Sequence, residues 1–103
     1  RAAVVREPGA PLDSDFLVQP RLDALYADYR DTASPRAVVA VTIVLVRREA
    51  SGNRQAFERT YRREVAMKEI SPAAAVEGWR RGTAEIFRDF TADFRRASQP
   101  DPG

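Results

Sequence analysis

Between Val38 and Val46 the chain is apolar at every position except Thr42, a nine-residue run. That is less than half of the roughly 20 consecutive apolar residues a bilayer-spanning helix requires. Val38, Val39, Val41, Thr42, Ile43, Val44 and Val46 are β-branched, which costs rotamer freedom in a helix and suits a pleated surface. The run predicts a central strand. Because both of its parities are apolar, it must be covered on both faces or paired on both edges.

The pattern changes on either side of this strand. Ser51, Gly52 and Asn53 suit the positive dihedrals of a hairpin, so the chain should reverse there. Beyond them Phe57, Tyr61, Val65 and Met67 share one parity, and Ala56, Glu58, Thr60, Arg62 and Glu64 the other. This is the period of two expected for a strand with one wet face. Arg59 and Arg63 interrupt the apolar parity, which places the strand where their stems can snorkel outward. Upstream, Ala2 to Val5 predicts the end of another strand, and "REPGAPLDSD" a loop. In "DFLVQPRLDALYADYR" Phe16 and Val18 lie on one side and Pro20 removes a backbone donor, as on an edge strand. The end of that segment, Leu22, Leu25, Tyr26 and Tyr29, fits either strand or a helical turn or two. "RDTASP" is a polar connection into the central strand.

The last segment has helical spacing. Ser71 is an N-cap and Pro72 occupies the first helical position, where its missing donor costs nothing. Val76, Trp79, Thr83, Ile86, Phe87, Phe90, Phe94 and Ala97 recur every three or four residues as one stripe. Gly78 and Gly82 each weaken a helix by about 1 kcal/mol relative to alanine, which points to a close neighbouring backbone. Arg95 and Arg96 suit the negative end of the helix dipole. The expected fold is α+β: an antiparallel or mixed sheet with a long C-terminal amphipathic helix on one face. Residues 1–97 form a single domain, expected to be incomplete, and residues 98–103 a disordered tail.

Composition narrows the chemistry. The formal charge is only +2, so the pI near 9.5 reflects arginine abundance and the lack of histidine, and nucleic acid is not implied. There is no cysteine and no histidine, which removes disulfides, thiolate metal sites, most zinc chemistry and every histidine-based triad. Asp13 and Asp15 lack the continued oxygen spacing of a calcium loop and read as turn and capping residues, so no metal is expected. No glycine context has the strand-to-helix setting of a phosphate loop, and no cofactor is expected. Glu85 and Asp89 neighbour Arg81 and Arg88, which favours local ion pairs over acid and base work. Trp79, Phe87, Phe90 and Phe94 read as core rather than a ligand groove. Arg47, Arg48, Arg54, Arg59, Arg62 and Arg63 flank or line the hairpin, and Arg59, Arg62 and Arg63 are the candidates for an anionic-ligand or partner face. Glu49, Glu58 and Glu64 blunt that patch. The chain is expected not to be an enzyme.

The order of segments carries a resemblance. "SDFLVQPRLDAL", the strand "AVVAVTIVLV", the hairpin, "QAFERTYRREV" and "SPAAAVEGWRRGTAEIFRDFTADF" together resemble the C-terminal half of the ABC-type transport auxiliary lipoprotein family. The resemblance implies a non-enzymatic accessory subunit of a Gram-negative envelope ABC/MCE transport system, assisting lipid or apolar-substrate transport between membranes. It further implies MCE-type transporter subunits as partners, a periplasmic setting, and outer-membrane anchoring through an upstream lipid. The chain starts at Arg1 without methionine, and under this reading it is a fragment of a longer protein. Self-association is left open. The alternatives are a cytoplasmic protein-interaction or assembly module, and a ligand or nucleic-acid binder that uses the arginine face.

Overall fold

Four strands follow one another in an antiparallel meander: β1 (Ala3–Val5), β2 (Asp15–Asp28), β3 (Arg36–Glu49) and β4 (Gly52–Ala66). The helix α1 (Pro72–Ser98) then returns across one face. The computed structural model describes residues 3–5 and 15–98. Ala2, most of the proline-rich loop, including Asp13, and residues 99–103 of the expected tail lie outside the described residues. Ser98, assigned to that tail from the sequence, is instead the last residue of α1. The sheet is purely antiparallel, and its long strands give a body of 53 × 22 × 21 Å.

The valine-rich run is β3, paired along its length with β2 on one side and β4 on the other. Pro20 sits inside β2, just past the three residues that β1 pairs with, where β3 is the only described strand beside it, as expected of proline on an edge strand. The segment left open between strand and helix continues as strand to Asp28, with a register shift between Leu22 and Ala24. The β3–β4 reversal needs two residues, Ala50 and Ser51, and Gly52 opens β4 with φ +126°. No other described residue takes a positive φ, so Ser51 and Asn53 do not share that role.

Alternation along β3 sends Ala37, Val39, Val41, Ile43 and Leu45 toward α1 and Val38, Ala40, Thr42, Val44 and Val46 to the opposite face. On the α1 side Val39, Ile43, Tyr61 and Ile86 form one core group and Phe16, Leu45 and Phe94 a second. Phe16 and Phe94 meet edge to face at 5.1 Å between ring centres. Ser71 caps the helix by accepting the Ala74 amide at 3.1 Å, and Arg47 donates to the Ala97 carbonyl in the last turn at 3.2 Å.

The other face has no second layer among the described residues, yet Val38, Ala40 and Thr42 on it are buried. Side chains of the flanking strands roof them. Arg62 of β4 donates to the Tyr26 hydroxyl of β2 at 3.2 Å, and these two residues are the register partners of Ala40 and Val38. The strand therefore meets its need for cover with a helix on one side and bridged long side chains on the other.

The helix stripe differs from the one the sequence predicts. Ile86 and Phe94 are buried and Trp79, Thr83, Phe90 and Ala97 half-buried, but Val76 and Phe87 are 59% and 61% exposed. Ala75, Gly78, Gly82 and Asp93 are buried in their place. The cause is the way α1 sits: it packs on β3 and β4 and meets β2 chiefly near its ends, through Phe94 on Phe16 and the Trp79 indole donating to the Tyr26 carbonyl at 3.0 Å. A Cβ at Gly78 would lie 2.5 Å from the Ala37 Cβ, and one at Gly82 would lie 2.8 Å from a Val39 methyl.

Gly78→Ala is therefore expected to destabilise the fold by about 1–3 kcal/mol through overpacking, although alanine favours an isolated helix by roughly 1 kcal/mol. Urea unfolding of the two proteins checks this, and a stabilised variant would contradict the close contact.

Candidate functional site

Alternation along β4 divides the three arginines singled out from the sequence. Arg59 and Arg63 share the parity of Phe57, Tyr61 and Val65 and face α1, while Arg62 lies on the opposite face. They do not form one surface. Arg63 donates to Glu85 at 3.2 Å and is bound to Asp89, and Arg59 pairs with Asp93 at 2.8 Å. The acids expected to pair along the helix with Arg81 and Arg88 instead reach across to the sheet. Their spacing of four places Glu85, Asp89 and Asp93 on one side of α1, and this was the signal available in the sequence.

Asp93 is the buried member of this row. Its carboxylate accepts the Tyr61 hydroxyl at 2.7 Å and is bound by Arg59 and Arg96. The Tyr61 bond, followed by the two guanidinium groups, holds Asp93 below the ordinary aspartate range against the opposing effect of burial. Burial first, then the bond to Asp93, pushes the Tyr61 phenol well above its ordinary value. Here the acid serves to anchor α1 over β4.

A second polar group lies on the open face. Asp23, the residue left without a register partner at the shift in β2, shares the face of Arg21 and accepts the Thr42 hydroxyl and, at 2.8 Å, the Arg21 guanidinium. The Thr42 and Thr60 hydroxyls are 2.8 Å apart. The Thr42 bond, ahead of Arg21, lowers the Asp23 pKa. Nearby, Arg36 and Arg62 both bind Glu64, and Arg30 binds Asp28, whose carboxyl is held down to about 2. Each of these charges is neutralised on the spot. No group of three or more acidic residues able to hold a metal ion occurs among the described residues. No helix among them is long and apolar enough to cross a membrane.

The uncovered surface is apolar. Between the two places where α1 meets β2, Leu22 and Leu25 are 60% and 47% exposed, on the parity of Val41 and Val39 that faces the helix layer. Phe87 and Val76 are exposed on α1. Leu22 and Leu25 of β2 and Phe87, seven residues before Phe94 on the same side of α1, are thus exposed apolar residues of this flank, and Val76 is exposed beyond the Trp79 contact; the sequence alone assigned Phe87 and Val76 to the core. A depression of about 260 Å³ at the start of α1, lined by Met67, Lys68, Ser71, Ala74, Gly78 and Arg81, is separate from this flank.

Both shifted groups at the anchor make stability depend on pH. A lowered carboxyl contributes fully above its unfolded value near 4, and that contribution disappears as pH falls through the lower folded value. A raised phenol contributes fully below its unfolded value of about 10 and loses its contribution as pH rises toward the folded one. Tyr61→Phe is expected to cost about 1–3 kcal/mol near neutral pH, a hydrogen bond to a charged acceptor. The gap to the unaltered protein should narrow in acid and above about pH 10. Urea titrations across that range decide it, and a constant gap would contradict the assignment. No family model, curated protein or solved structure matches this chain.

Proposed function

We propose that the chain is a non-enzymatic accessory subunit of a Gram-negative envelope ABC/MCE transport system, assisting movement of lipid or another apolar substrate between membranes. In this reading it works in the periplasm, anchored to the outer membrane by a lipid attached upstream, and touches the MCE component of the transporter. The observation that carries the proposal is the exposure of Leu22, Leu25 and Phe87 on the flank between β2 and α1. Large apolar side chains left exposed on two neighbouring elements favour a contact site over an ordinary solvated surface. The order of strand, hairpin, strand and amphipathic helix supports the same assignment through its likeness to the auxiliary lipoprotein family. The paired arginines supply no free cationic patch at Arg59, Arg62 or Arg63, which favours an apolar protein contact over an anionic ligand.

Co-purification with the MCE-domain subunit encoded beside this chain tests the proposal. Leu25→Asp and Phe87→Asp alter exposed positions and should change stability by no more than about 0.5 kcal/mol. Each should weaken the complex at least about tenfold by removing a buried apolar contact and desolvating a charge. A complex that survives both substitutions, or none with the unaltered chain, overturns it.

A further inference from the structure

The outer edge of β4 is open: β4 ends the sheet, and no described strand pairs with its far side. From Phe57 to Ala66 its register with β3 is unbroken, so a regular row of backbone donors and acceptors faces outward over that stretch. Edges of this length invite pairing and are usually blunted by charged side chains, proline or a bulge within them; the charges of β4, Glu58, Arg59, Arg62, Arg63 and Glu64, oppose most partners and so restrict which one fits. β4 contains neither lysine nor proline, and its register shift lies before Phe57.

We propose that a second copy of this chain docks antiparallel along β4, with Thr60 on the two-fold axis, to form a continuous eight-stranded sheet. Among axes from Glu58 to Glu64 the charge pattern selects this register. Two identical antiparallel strands in one sheet are related by an axis perpendicular to it, so facing residues share a face and the axis passes through a residue position. With the axis at Thr60, Glu58 faces Arg62 of the second copy and Arg62 faces Glu58, Thr60 faces itself, and no like charges oppose. An axis at Glu58, Arg59, Arg62, Arg63 or Glu64 sets a charge against itself. An axis at Tyr61 opposes Glu58 to Glu64 and Arg59 to Arg63.

Glu58 fits the role because it is exposed and lies within salt-bridge distance of no described residue of its own copy, Arg21 acting on it only at longer range. Arg62 is already placed on that face by Tyr26 and Glu64, and its five donors leave capacity for another carboxylate. Both helices fall on the same side of the joined sheet. With strands about 4.8 Å apart and α1 over β3 and β4, the two helix axes stand roughly 10 Å apart, within the packing range for helices. The dimer is independent of the transport reading, since it uses β4 rather than the Leu25–Phe87 flank.

The chain has no cysteine, which allows a direct test on the full chain. Facing residues on antiparallel strands have Cα atoms about 5 Å apart, within disulfide reach. Thr60→Cys should therefore crosslink to itself under mild oxidation, whereas Glu58→Cys, about 14 Å from its copy, should not. By analytical ultracentrifugation the unaltered chain should be a dimer, Glu58→Arg should weaken it by at least about tenfold, and the double exchange E58R/R62E should restore it. Circular dichroism verifies that each variant is folded. A monomeric unaltered chain, equal crosslinking at both positions, or a double exchange no better than the single overturns the proposal.

Discussion

The structure depends on how closely α1 can lie on β3. Gly78 and Gly82 remove the side chains that would hold the helix away, and Ala37 and Val39 are the surfaces they meet. Close approach lets the large residues beside them, Trp79, Ile86, Phe90 and Phe94, reach down to the strand instead of standing the helix off it. The same requirement displaces α1 toward β4, because the contact must follow the small residues rather than the centre of the aromatic stripe. The uncovered flank beside β2 follows from that displacement.

Apolar contact alone leaves a helix free to slide on a sheet. The row formed by Glu85, Asp89 and Asp93 opposite Arg63 and Arg59 supplies direction, and the buried Tyr61–Asp93 bond has the least access to water. The more exposed pairs along the rim contribute modestly to stability, but they set where the helix lies lengthwise on β4. Polar groups perform a comparable task on the opposite face. There the Asp23–Thr42–Thr60 group and the Tyr26–Arg62 bridge close over a strand too apolar to face water.

Much of the fold was legible because it is written in local periodicity. The β-branched run became β3, the period of two became β4, and Ser71 with Pro72 began the helix as their chemistry requires. What the sequence left undecided was set by partners distant in the chain. Leu22 to Asp28 is strand because β3 offers a full ladder of backbone bonds, and local spacing gave no sign of that. Val76 and Phe87 belong to the helical stripe by spacing, yet lie outside the contact because glycines, invisible to a hydrophobicity pattern, determine the helix's rotation. Arg59, Arg62 and Arg63 are near neighbours in sequence, but a strand sends consecutive residues to opposite faces, so these three do not share one cationic face.

The position of α1 at the C-terminal side of the sheet has a consequence for biosynthesis. The strands leave the ribosome before the 27-residue helix that covers them. At roughly 5–20 residues per second, about 2–6 s separate completion of the hairpin at Ala66 from completion of its lid at Ser98. During that interval Val39, Ile43 and Leu45 stand exposed on a nascent sheet with a bare edge. The sheet is therefore most prone to aggregation before α1 has joined it, and a holdase that binds the chain in that interval would protect it more than one acting on the finished protein.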